Sequence, residues 1–151
     1  MLTISSGCQA IAAGNSHSMV LKEYGSVWAA GDNEYGQLGD GPPVPKESFE
    51  VVMRSGAKAI SAGYDFSMVL KQDGSVWGTG KNDLGQLGKG PMESTSTFVR
   101  MMSSGARDVV AGGSHSMVVK HDGSVWGTGE NLYGQLGDGS TTSRSNFIEV
   151  V

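Results

Sequence analysis

One pattern occurs three times along this chain and never slips by a residue. Gly25-Ser26-Val27-Trp28 recurs as Gly74-Ser75-Val76-Trp77 and as Gly123-Ser124-Val125-Trp126, so the tryptophans fall at 28, 77 and 126, each 49 positions after the last. Gly36-Gln37-Leu38-Gly39 recurs at the same spacing as Gly85-Gln86-Leu87-Gly88 and Gly134-Gln135-Leu136-Gly137. Three copies in register make the chain an array of one supersecondary unit. Such a unit cannot bury both its faces alone and must stack against neighbours.

Each copy reads as four short strands. In the second copy, a run of small and apolar residues predicts a first strand over 58–63, and Ser-Met-Val-Leu-Lys a second over 67–71. Asp73-Gly74 then gives a two-residue hairpin signal. The first copy has Tyr24-Gly25 at that turn and the third has Asp122-Gly123. The third strand is predicted over 75–79, a glycine-rich connection over 80–97, and the fourth strand over 98–102. Helical periodicity is absent from any stretch of useful length. Four antiparallel strands with glycines and aromatics at fixed places describe a propeller blade. The expected fold is therefore all-β: three four-stranded antiparallel blades of 49 residues each, in one domain with repeats at about 5–53, 54–102 and 103–151. Met1-Leu2-Thr3-Ile4 falls one repeat before Glu50-Val51-Val52-Met53, so residues 1–4 read as the end of an extra outer strand.

Composition removes several function classes. The 151 residues carry 24 glycines, about twice the usual share, with only four prolines. That balance means many tight turns rather than a disordered linker. The net charge is −4 and the eleven basic residues are scattered. Gripping nucleic acid through its phosphates needs clustered Lys and Arg, so direct nucleic-acid binding is not expected. The single cysteine, Cys8, makes no internal disulfide and reads as a small semi-buried residue. No apolar run reaches the length of a membrane span, and the start is too short and uncharged for a signal peptide. The chain reads as intracellular, without a choice between cytoplasm and nucleus.

The third copy assembles Ala111-Gly112-Gly113-Ser114-His115, then Gly123-Ser124-Val125-Trp126, then Gly129-Glu130-Asn131 leading to Gly139. This pattern resembles the repeat of the regulator of chromosome condensation family, and the likeness extends over essentially the whole chain. The resemblance implies a β-propeller. It also implies a role among those the family covers: guanine-nucleotide exchange on a small GTPase, photoreception, or interaction modules within larger proteins. Family propellers usually have seven blades, which three copies do not close. No insertion resembling the wedge of the exchange factor is present. The second copy departs at Tyr64-Asp65-Phe66, where the others carry Asn15-Ser16-His17 and Gly113-Ser114-His115.

The conspicuous motifs read as structural. Gly88-Lys89-Gly90 lacks the hydroxyl and the helix of a P-loop, so Gly36, Gln37, Gly39, Gly85, Gln86, Gly88, Gly134, Gln135 and Gly137 are taken as a repeated turn. His17 and His115 occupy equivalent places and are expected to bond the backbone of their own blades; no metal-ligand spacing accompanies them. Trp28, Trp77 and Trp126 are expected as buried filler between blades. Asp73 and Asp122 are turn residues by position, and no nucleophile, base and orienting group fall together. No enzyme activity, metal or cofactor is expected.

Positions identical in all copies serve the blade; positions that differ are free to serve a partner. They concentrate in the turn between the first and second strands and in the connection between the third and fourth. Both emerge on one edge of an up-and-down meander, so they decorate one rim. The expected function is a protein-interaction module, with Tyr64, Asp65, Phe66, Asn15 and Ser114 as partner-binding candidates. Exchange on a small GTPase is the first alternative, and a piece of a longer propeller whose activity belongs to the whole is the second. Two partners are expected: another protein, and the chain itself in a homodimer that closes a six-bladed ring, since the outer faces of the first and third blades are otherwise bare.

Overall fold

The computed structural model describes residues 6–91 and 93–151, so the reading of residues 1–4 lies outside the described residues. Three separate four-stranded sheets follow one another along the chain. The first blade holds β1 (Cys8–Ala13), β2 (His17–Lys22), β3 (Val27–Gly31) and β4 (Lys46–Met53). The second holds β5 (Ala57–Ala62), β6 (Phe66–Lys71), β7 (Val76–Gly80) and β8 (Thr95–Met102). The third holds β9 (Ala106–Ala111), β10 (His115–Lys120), β11 (Val125–Gly129) and β12 (Arg144–Glu149). Within each sheet the strands lie in chain order and every pairing is antiparallel.

The register repeats as the sequence does. Val20 faces Trp28, Val69 faces Trp77, and Val118 faces Trp126 across the two middle strands. The outer strand of the second blade starts three residues before its predicted start. Thr95 pairs with Gly80, and a register shift between Gly78 and Gly80 absorbs the glycine-rich connection. The first blade also differs at its lower hairpin. Glu23–Gly25 forms a short 3-10 turn in which Tyr24 takes φ 66. The other two copies have Asp there, and each Asp accepts from the Ser two residues on.

The core lies in the seams between blades. Met19, Leu21, Val27, Ala29 and Leu38 of the first blade pack against Ala57 and Val69 of the second. Phe66, Met68, Leu70, Val76, Leu87 and Met101 of the second pack against Ala106, Val109 and Val118 of the third. Each of the buried Val, Leu, Met and Phe side chains contributes about 1.5–3 kcal/mol, and the alanines less. Alternation along the strands makes this possible: one set of residues faces forward along the array, and the other faces back.

The tryptophans are not that filler. Trp28, Trp77 and Trp126 hold equivalent positions, but all three are half-buried. A lysine of the neighbouring strand lies over each ring: Lys22 at 5.1 Å, Lys71 at 4.1 Å and Lys120 at 3.9 Å from the centroid. Each indole N–H donates to the Ser two residues before it, at 3.3 Å from Trp28 and 2.9 Å from Trp77 and Trp126. The longer bond belongs to the blade whose turn lacks the aspartate. A ring with a polar edge and a cation on its face sits at the margin of the seam, where both are satisfied. The smaller aliphatic residues fill the middle.

Candidate functional site

Ala13 pairs with Ser18, and His17 with Gly31, which puts the β1–β2 turn and the β3–β4 connection at the same end of the first blade. The same holds in the other two blades. The three copies thus present one rim of loops around the ends of the inner strands, where Gly14, Asn15, Gly63, Tyr64, Gly112 and Gly113 line an open cavity.

The long loops on this rim are tied down at their bases by side-chain hydrogen bonds. Asn33, Asn82 and Asn131 are buried at their bases. In each loop the Asn carbonyl accepts from the Leu backbone N–H five residues on, at 2.8–3.0 Å. The amide of the same Asn donates to carbonyls further along: Pro42 and Val44, Pro91 and Glu93, Ser140 and Thr142. Gln37, Gln86 and Gln135 accept from the backbone N–H two residues before them. The Gly-Gln-Leu-Gly element is therefore a pinned turn. These asparagines recur at the 49-residue spacing, a signal that marks their positions but not their role. On the third loop Arg144, and next Ser140, hold the Asp138 carboxyl well below the usual carboxylate range.

The same loops lock blade to blade. Ser67 donates to the carbonyl of Gln37 at 2.7 Å, and Thr79 to that of Gly36 at 2.7 Å. In the next seam Ser116 donates to Gln86 at 2.6 Å and Thr128 to Gly85 at 2.8 Å. A Cβ on Gly39 would lie 2.4 Å from the Phe98 ring, so that glycine is the space the neighbouring blade's phenylalanine occupies.

The expectation that the His17 side chain bonds its own blade's backbone is corrected by the structure. His17 Nε2 lies 2.8 Å from Ser67 Oγ, in the next blade. Ser67 already donates its hydroxyl proton to Gln37, so His17 must be the donor and carries its proton on Nε2. Nδ1 is buried and has no partner among the described residues. Burial lowers the imidazole pKa, against the opposing pull of Asp65 and Asp32. His115 is half-buried, and burial lowers its pKa as well, against Glu130.

The five partner-binding candidates separate. Tyr64 stands 60% exposed with its ring over Gly113, where a Cβ would come within 2.7 Å of it. Asn15 is exposed, and its backbone N–H donates to the Tyr64 carbonyl at 3.0 Å; Tyr64 N–H donates in turn to Gly113 at 2.9 Å. This chain of bonds ties the three turns together around the cavity. Asp65 is half-buried with Lys81 Nζ 3.9 Å away, and Lys81 lies 4.8 Å from the Tyr35 ring of the first blade. Ser114 is half-buried and its carbonyl accepts from Glu130 N–H. Phe66 does not belong with them. It is fully buried in the seam, at the position that holds His17 and His115 in the other blades, because its side chain points along the array rather than out of the turn.

No group of three or more potential metal ligands occurs among the described residues. No helix of the described residues is long and apolar enough to cross a membrane.

Stacked four-stranded antiparallel blades, locked by repeated seam contacts, define a β-propeller architecture. The model of the regulator of chromosome condensation (RCC1) repeat matches residues 8–37, 57–86 and 106–135, and a second model of the same repeat matches 24–70 and 73–119. The chain belongs to the RCC1 repeat family. It is similar to human WBSCR16, with a TM-score of 0.80 and 25% identity, over 95% of this chain and 39% of that one. It is also similar to Prp20p from Saccharomyces cerevisiae, a structure described with its binding properties to Gsp1p and histones, with a TM-score of 0.80 and 20% identity over 96% of this chain and 38% of that one. The yeast RCC1 (Prp20) bound to Kap60 matches at a TM-score of 0.80 and 21% identity, over 96% of this chain and 37% of that one. The chain thus spans under two fifths of the length of these solved relatives. No curated protein matches it in sequence.

Proposed function

We propose that this chain is a protein-interaction module, working within a ring completed by a second copy, whose loop rim recognises a protein partner. The observation that carries the reading is the division of labour among the copies. Residues that hold seams and loops recur at the 49-residue spacing, whereas the rim turns change from Asn15 to Tyr64 to Gly113. Tyr64 is an exposed aromatic on a turn tied down by backbone bonds, the kind of residue that anchors interfaces.

The rim's charge indicates the kind of partner. Its connections hold eight acidic residues (Asp32, Glu34, Asp40, Asp65, Asp83, Glu93, Glu130 and Asp138) and two basic ones (Lys81 and Lys89), while Lys46 and Arg144, at the starts of the outer strands, pair with Asp40 and Asp138 and leave the balance acidic. Lys81 sits between Asp65 and Asp83. A rim of this sign favours a basic protein surface. The yeast relative's binding to histones and to Gsp1p makes a histone and a small GTPase the first probes. Titration calorimetry at moderate salt is the test, with Tyr64→Ala expected to weaken binding of the recognised probe about tenfold or more. A nucleotide-release assay with the GTPase separates binding from exchange. Neither probe binding, or binding indifferent to Tyr64→Ala, would overturn the reading.

A further inference from the structure

The two seams inside the chain give a template for what each open face fits. The forward face of the third blade carries Met117, Val119 and Val125, all half-buried, where their first-blade equivalents Met19, Leu21 and Val27 are buried under the second blade. Its loop glycines are bare: a Cβ on Gly137 would meet nothing within 4 Å, whereas those on Gly39 and Gly88 would strike Phe98 and Phe147. The backward face of the first blade carries the matching parts. Phe49 stands where Phe98 and Phe147 stand, and Ser18 where Ser67 and Ser116 donate to the preceding loop. Ile11 is 81% exposed, whereas Val109 at the equivalent place in the third blade is 8% exposed and packed in a seam.

Two further residues point the same way. His115 has the place of His17, and the residue that receives His17 in the next blade is the equivalent of Ser18. Cys8 is exposed, yet it holds the place of Ala57 and Ala106, which are 2% and 1% exposed inside the seams. One contact has no counterpart. Thr79 and Thr128 donate to the preceding loop, and the first blade has Ala30 there.

We infer that the forward face of the third blade binds the backward face of the first blade of a second copy, head to tail, with Phe49 on Gly137 and Ser18 between His115 and the Gln135 carbonyl. A head-to-tail contact closes into a ring when the rotation from blade to blade allows it, and made twice it would give a ring of two chains. The inference rests on the ring-module reading given above and names the surfaces that make it. The tests are light scattering across a concentration series and the rate of Cys8 modification by a thiol reagent. The expected result is a species of twice 15.7 kDa whose Cys8 becomes reactive on dilution. Ile11→Asp, at a side chain that touches little in the single chain, is expected to give a folded monomer with reactive Cys8. Ala30→Thr restores the missing hydroxyl and is expected to tighten the dimer about tenfold. A monomer at every concentration, a trimer, or an Ile11→Asp dimer with Cys8 still protected would overturn the inference. A monomer that still binds its partner through Tyr64 would leave the rim reading standing, and a dimer indifferent to both probes would do the reverse.

Discussion

His17 on β2 and Ser67 on β6 are joined across the first seam at 2.8 Å, and Ser67 passes the bond on to the Gln37 carbonyl. The relay requires a neutral imidazole with its proton on Nε2 and leaves a buried Nδ1 with no acceptor for a second proton among the described residues. The second seam uses the buried Phe66 instead.

Acid should therefore loosen the first seam. Burial, ahead of the opposing Asp65 and Asp32, lowers the folded-state pKa of His17 below its ordinary 6.5. A histidine depressed in the folded state gives stability that is full above the unfolded pKa. That stability is lost as pH falls from about 6.5 toward the folded value, because only the unfolded chain takes up the proton there. His115 adds to the same slope. Urea denaturation at pH 7.5 and pH 5 should show the loss, and His17→Phe, which copies position 66, should flatten it. An unchanged slope in that variant would rule out His17 as its source.

The asparagines at the loop bases should be worth more than their polarity suggests. Asn82→Ala leaves the buried Leu87 N–H without its acceptor and frees the Pro91 and Glu93 carbonyls. Stranding a buried backbone donor costs about 1–3 kcal/mol. Chemical denaturation should show that loss, while Asp83→Ala, at an exposed position on the same loop, should be close to neutral.

The two aromatic positions of the second blade should separate in magnitude. Phe66 is fully buried in the seam, and Phe66→Ala should cost about 3–5 kcal/mol. Trp77 is half-buried beneath Lys71, and Trp77→Ala should cost about 2 kcal/mol, less than a core tryptophan. Equal losses would mean that the indole packs more deeply than its exposure indicates.

These contrasts mark what the sequence could reveal. The unslipped spacing disclosed the blades, their hairpins and the shared rim, because each depends on residues a few places apart in one copy. The seam was less legible. Which of His17, Phe66 and Trp77 enters it depends on which face of a strand meets the next blade, and the repeat alone does not fix that direction. The repeat marks the tryptophans as filler, yet the seams are taken by Met, Leu and Val together with Phe66, and the indole keeps its N–H on Ser75 at the margin. The asparagines recur at the 49-residue spacing, yet their role as loop ties is not legible there, because most of their partners are backbone groups five to eleven residues away.

Tyr24 offers the opposite test, a substitution expected to stabilise. It occupies the left-handed region at φ 66, is 93% exposed, and stands where the other blades have Asp73 and Asp122. A side chain with a Cβ is strained there by about 1–2 kcal/mol, and asparagine tolerates the conformation better than most residues. Little packing is lost with so exposed a ring. Tyr24→Asn should raise stability by about 0.5–1 kcal/mol, seen as a higher denaturation midpoint with an unchanged slope. Tyr24→Val, branched at Cβ and poorly suited to positive φ, should lower it. If both variants shift the midpoint the same way, hydrophobicity rather than backbone strain governs this turn.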